Sequence, residues 1–91
     1  MKFKEGYRLR TLMGKHVVVK ENNNSKTLTD LNKVLVLNTS AAYLWENFEG
    51  KSFTLLDVTS VLLQTYDIEP DVARRDAMAF IDKLARYSML E

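Results

Sequence analysis

The stretch from residue 33 to residue 50 constrains the fold most, because it predicts a strand that turns directly into a helix. Residues 34–37, Val-Leu-Val-Leu, form an aliphatic run that is long enough for a strand and too short for a helix of its own. Asn38, Thr39 and Ser40 follow, and their side-chain oxygens are suited to cap a helix. The next apolar residues recur at three- and four-residue spacing and predict a helix that ends at Gly50, with an inner face of Ala41, Leu44, Trp45 and Phe48.

The residues upstream of this corner predict two more strands. Residues 7–13 alternate loosely between inner and outer positions, and residues 16–20 contain three successive valines, as is typical of pleated strands. Gly14 and Lys15 predict the turn between these two strands. The connections are too short for parallel crossovers, so an antiparallel sheet is expected, with residues 33–37 as its third strand.

Two further helices are predicted downstream of Gly50. Thr54 and Asp57 fit a capping box at the start of a helix that runs to about residue 66, with Leu55, Val58, Leu62 and Tyr66 facing inward. Pro70 suits the first turn of a last helix over residues 70–87. Its expected inner stripe comprises Ala73, Ala77, Phe80, Ile81, Leu84 and Tyr87, and Leu90 is expected to tuck under the bundle. The sequence therefore predicts one domain over residues 1–91, of the α+β class: a winged-helix-like, three-stranded antiparallel sheet followed by a three-helix bundle.

The residue types present argue against an enzyme, a metal site or a cofactor. There is no cysteine, and His16 is the only histidine, so thiolate sites and paired imidazole ligands are excluded. The glycines Gly6, Gly14 and Gly50 are too far apart for a phosphate-binding loop. No stretch resembles a signal peptide or a membrane span, so no membrane partner is expected and a cytoplasmic location is the default.

Charge is unevenly distributed, although the formal net charge is only +1. Residues 1–20 are basic and residues 41–72 are acidic, an asymmetry that can steer a charged partner or reflect two solvated faces of opposite sign. A winged-helix outline with a basic hairpin allows nucleic-acid binding as an alternative function. Against it, the last helix mixes Arg74, Arg75, Lys83 and Arg86 with Asp71, Asp76 and Asp82 and has no clean basic face.

The motifs around the organising stretch resemble those of the PqqD family. Leu-Asn-Thr-Ser-Ala-Ala-Tyr-Leu-Trp at 37–45 is followed by Phe-Glu-Gly at 48–50 and Thr-Leu-Leu-Asp-Val at 54–58. Further downstream, residues 62–67, 76–84 and 88–90 also fit the family's pattern. The resemblance covers about residues 6–91 and rests mostly on core and capping positions. Met89 departs from it, because the family often has a glycine there.

This resemblance implies a non-catalytic peptide chaperone that binds the leader of a ribosomally made precursor peptide. The domain would present the peptide to a modifying enzyme, often a radical S-adenosylmethionine (SAM) protein, in pyrroloquinoline quinone biosynthesis or a related pathway. The leader is expected to add as a strand to the third strand and to lie beside the last helix. The residues expected to bind it are Lys33, Val34, Leu35, Val36 and Leu37 on the strand, and Arg74, Arg75, Met78 and Asp82 on the helix.

Simpler interpretations exist for these residues. At least two of the aliphatic strand residues are expected to be buried, and Arg74 and Arg75 suit ordinary solvated helix positions. A general protein-interaction module with the same fold is a further alternative to leader binding. An open strand edge would also permit a homodimer by edge pairing.

Overall fold

The computed structural model describes residues 1–20 and 34–91. The elements run in chain order as β1 (Tyr7–Leu12), β2 (Lys15–Lys20), β3 (Leu35–Leu37), α1 (Thr39–Phe48), α2 (Leu55–Thr65) and α3 (Pro70–Arg86). The strands form one sheet in the order β1-β2-β3, and both pairings are antiparallel. This confirms the predicted three-stranded sheet followed by three helices. The predicted start of the third strand at Lys33 lies outside the described residues.

The turn between β1 and β2 lies one residue earlier than predicted. Leu12 pairs with Lys15, so the two-residue loop is Met13-Gly14 rather than Gly14-Lys15. Both loop residues have positive φ, 51° for Met13 and 79° for Gly14. Two-residue hairpin loops favour this geometry because its twist matches that of the flanking strands. Lys15 therefore belongs to β2.

The third strand buries one of its faces. Leu35 lies opposite Val18 and Leu37 opposite His16, and both leucines are almost completely buried, at 1% and 3% exposure. Val36 between them is half exposed because successive strand side chains point to opposite faces. The aliphatic run thus supplies two core side chains, as expected, and leaves Val36 outside.

The predicted starts of the three helices are confirmed. The Asn38 side-chain oxygen accepts a hydrogen bond from the Ala41 amide at 2.8 Å and caps α1. At the start of α2, the Asp57 carboxylate accepts from the Thr54 amide at 2.9 Å, and the Thr54 hydroxyl accepts from the Asp57 amide at 3.2 Å. Pro70 begins α3, where its missing N–H leaves no bond unmade.

Replacing Thr54 with alanine is expected to lower the free energy of unfolding by about 1 kcal/mol, because the first turn of α2 loses its cap. Urea unfolding followed by the fluorescence of Trp45, the single tryptophan, measures this change. Thr65→Ala at the exposed end of the same helix is the matched control and should stay within about 0.5 kcal/mol of wild type. Equal losses in the two variants would contradict a capping role.

An aromatic cluster centred on Phe3 and Trp45 joins the N-terminus to the helices. The two rings stack with centroids 4.0 Å apart and planes 7° from parallel. Phe3 also meets Phe53 and Phe80 edge-on, at 5.1 and 6.3 Å. Phe3 is only 5% exposed, although the sequence pattern did not mark it as a core residue. Its bridge to Leu90 fastens both chain ends to the same core.

Two expectations about the end of the chain need correction. Met89 is fully buried, whereas Leu90 is only partly buried, so Met89 and not Leu90 is the main core residue there. Ser88 has a φ of 56°, which turns the backbone out of α3 and reverses the expected side-chain positions. Tyr87 is 42% exposed because α3 ends at Arg86, one residue before it. Of the other predicted stripe residues, Ala73, Ala77, Phe80 and Leu84 are buried, and Ile81 is partly buried against the core.

Within residues 1–20 and 34–91, no helix combines the length and the apolar character needed to cross a bilayer.

Candidate binding groove

A groove of about 660 Å³ opens between β3, the first turns of α1 and one side of α3. Its floor is apolar, because Leu44, Leu62 and Phe80 turn part of their surface toward it while remaining at least nine-tenths buried. Its rim carries the polar residues Asn38 and Ser40. The remaining lining residues are Val36, Leu37, Ala41, Asp76, Ala79 and Lys83. Such a groove suits an apolar side chain projecting from a polar backbone.

The open edge of the sheet lies along this groove. Among the described residues, β3 pairs only with β2, so its other side has no strand partner. The Val36 carbonyl oxygen points to that side, where it accepts a hydrogen bond from the Lys83 ammonium at 3.3 Å. In an antiparallel strand the N–H and C=O of one residue point the same way, so the Val36 amide faces the groove as well. Val36 therefore offers a donor and an acceptor to an incoming strand.

Two opposite charges lie on the helical wall of the groove. Asp76 and Lys83 are seven residues apart, about two turns or roughly 10.5 Å along α3. Between them Ala79 and Phe80 form the apolar part of the wall. The groove thus combines an apolar floor with one acidic and one basic position.

The strand residues predicted to bind a ligand are only partly brought together here. Val36 and Leu37 line the groove, and Val34 is half-buried just before β3. Leu35 is 1% exposed and packs into the core, so only its backbone is at the sheet. Lys33 lies outside the described residues.

The helix residues predicted to bind a ligand do not line this groove. Arg74 borders a separate depression with Leu55, Leu56 and Thr59 of α2. Met78 is half exposed, Arg75 is exposed, and Asp82 forms an ion pair with Arg86 at 2.9 Å. A role for these four residues in binding stays a prediction.

The groove lies on the other side of the buried stripe of α3 from Arg74 and Met78. Relative to buried Ala77, Asp76 is rotated by about 100° in one direction and Met78 by about 100° in the other. Sequence reasoning therefore missed Asp76, Ala79 and Lys83. Helical periodicity locates the buried stripe of a helix, but it does not show which of the two sides next to that stripe faces a binding site.

The described residues offer no arrangement typical of metal chemistry. Across residues 1–20 and 34–91, no three His, Cys, Asp or Glu side chains converge in a way that could hold a metal ion.

The sheet, the three helices and the open strand edge define a winged-helix-like α+β domain. The sequence model of a family described as coenzyme PQQ synthesis protein D (PqqD) matches residues 15–90, from β2 to the bridge at Leu90. The chain belongs to the PqqD family, as the sequence motifs indicated.

Among solved structures, the chain is similar to TbiB1, determined in complex with the TbiA(beta) leader peptide. The TM-score is 0.71, the sequence identity is 16%, and the match covers 100% of this chain and 95% of that one. At this identity the likeness establishes the shared fold. No curated protein matches the chain.

Proposed function

We propose that this domain captures the leader of a ribosomally made precursor peptide by adding it as a fourth strand to β3. The observation that carries the proposal is the open edge at Val36, whose carbonyl oxygen faces an apolar groove. Membership of the PqqD family supports this function, as does the fold shared with a protein solved with a leader peptide bound. No catalytic step is assigned to the domain.

Strand addition divides binding into two contributions. Main-chain hydrogen bonds to the β3 edge supply affinity that is nearly independent of the peptide's sequence. Side chains of the added strand alternate, so every second one can enter the groove above Leu44, Leu62 and Phe80. An apolar residue at such a position would be favoured because its own apolar surface and that of the groove floor would both be removed from water.

The bound peptide is proposed to be presented to a modifying enzyme such as a radical SAM protein, as the family resemblance implies. On the helical side, we propose Asp76, Ala79, Phe80 and Lys83 as the main peptide contacts because they line the groove. Contacts from Arg74, Arg75, Met78 and Asp82 would require the peptide to extend beyond it.

Titrating the ¹⁵N-labelled domain with synthetic peptides from short reading frames adjacent to its gene tests the proposal. Amide shifts are expected at Val34 to Leu37 and around Ala79 and Lys83. Arg74 and Met78 on the other side of the buried stripe serve as an internal control and should shift less. Shifts confined to the basic residues of β1 and β2, appearing with duplex DNA and fading with salt, would instead favour nucleic-acid binding.

Titrations are run at protein concentrations where sedimentation shows a monomer, since a homodimer through the same edge would compete with the peptide.

A further inference from the structure

Lys83 occupies the position that an added strand would need. Its ammonium donates to the Val36 carbonyl oxygen at 3.3 Å, and its side chain lines the groove. This contact crosses from the last turn of α3 to the middle residue of β3. In the peptide-free domain, Lys83 therefore covers the open edge with a charge, a feature that discourages edge-to-edge association of strands.

A peptide strand that pairs with β3 displaces this contact. The Val36 carbonyl would accept a peptide N–H in place of the Lys83 ammonium. The displaced ammonium remains beside the peptide, where the peptide's bulk removes part of its water. A carboxylate on the peptide would restore a partner for it, whereas a second cation would be repelled.

Asp76 imposes the opposite preference further along the same wall. It lies roughly 10.5 Å from Lys83 along α3. Side chains on one face of an extended peptide recur every second residue, so the peptide residue two or four positions from the one at Lys83 comes nearest to Asp76. An acidic peptide residue near Asp76 would meet a like charge. The wall therefore distinguishes between peptides that carry the same charges in a different order.

We propose that Lys83 is a specificity-determining residue that selects peptides with a carboxylate side chain facing it. The same peptides carry an uncharged or basic residue two or four positions away, on the same face of the strand and facing Asp76. This inference rests on the proposed strand addition to β3. The ligand class it defines is an extended segment with an apolar anchor and an acidic residue at one set position.

Selection from an mRNA-displayed library of randomised 12-residue peptides tests this inference without a known ligand. Wild-type domain, Lys83→Glu, Lys83→Gln and Lys51→Glu are used as separate baits. Lys51 lies in the connection between α1 and α2, outside the groove, so Lys51→Glu makes the same change in net charge as Lys83→Glu. Every enriched pool is then passed over Val36→Pro to identify peptides whose binding needs the strand edge.

Among Val36-dependent peptides, wild type and Lys51→Glu should enrich Asp or Glu at one position by about threefold or more. Lys83→Gln should lose that enrichment, and Lys83→Glu should replace it with Lys or Arg. Equal residue preferences for all four baits would overturn the role of Lys83 and leave strand capture standing. Enriched peptides that bind Val36→Pro as well as wild type would overturn strand addition itself, and the inference with it.

One selected peptide then provides a quantitative check. Replacing its acidic residue with glutamine should weaken binding to the wild-type domain by about two- to fivefold in fluorescence anisotropy. The same replacement should have little effect on binding to Lys83→Gln, since the pair is already broken there. Equal losses in both backgrounds would assign the acidic residue to another contact.

Discussion

Replacing Val36 with proline is expected to weaken peptide binding by at least ~30-fold, or about 2 kcal/mol. Proline removes the amide N–H that faces the groove, and its ring obstructs the approach of a peptide strand. A leader bound by strand addition would lose the hydrogen bond to that amide. Fluorescence anisotropy with a peptide found in the NMR titration measures the loss.

The fold should tolerate this substitution. Leu35 and Leu37 face Val18 and His16, whereas the backbone groups of Val36 point away from β2 toward α3. Proline is accommodated on edge strands where its N–H is not needed for the sheet. The thermal midpoint should therefore fall by only a few degrees, as for a change of about 1 kcal/mol or less.

Val36→Thr is the matched control, because threonine is also β-branched and keeps the N–H. Its peptide affinity should remain within about threefold of wild type, since Val36 is half exposed. If Val36→Pro folds and binds the peptide as tightly as Val36→Thr, the peptide does not add to β3.

Replacing Phe3 with alanine is expected to lower the free energy of unfolding by about 3–5 kcal/mol. The ring is buried and stacked on Trp45 at 4.0 Å, and it also contacts Phe53 and Phe80. Its loss removes these aromatic contacts and leaves a cavity that the surrounding rings can fill only in part. The free energy of unfolding of an ordinary domain is about 5–15 kcal/mol, so Phe3→Ala would remove a large share of the stability.

Urea unfolding followed by circular dichroism measures this effect independently of changes around Trp45. Phe3→Leu keeps an apolar side chain and should lose clearly less than Phe3→Ala. Met13→Ala removes another large apolar side chain, but one that is fully exposed at the hairpin turn, and should change stability by about 0.5 kcal/mol or less. Similar losses for Phe3→Ala and Met13→Ala would show that the N-terminal segment does not belong to the cooperative core.

Local features of this fold could be predicted because they depend on neighbours in the chain. The cap at Asn38, the box of Thr54 and Asp57, and Pro70 at the start of α3 each act within one turn of a helix. The antiparallel order of the strands also followed, since the short connections leave few alternatives. The hairpin turn was misplaced by one residue because Met13 adopts a positive φ that sidechain-bearing residues seldom take.

Contacts between distant segments of the chain could not be predicted from the sequence. Phe3 lies in a basic N-terminal segment with no apolar period of its own, and only its contacts with Trp45, Phe53 and Phe80 make it a core residue. Met89 became buried through the left-handed turn at Ser88, and that turn left no sequence signal.

The sequence by itself determined the elements, their order and the aliphatic strand that provides the candidate binding edge. The tertiary structure decided which side of the buried stripe of α3 faces that edge. Met78 and Asp76 are equally spaced about the buried stripe through Ala77, so helical periodicity treats them alike. Contacts between elements distant in the chain break this symmetry, because they place β3 on the Asp76 side of the stripe, where the Lys83 ammonium donates to the Val36 carbonyl oxygen.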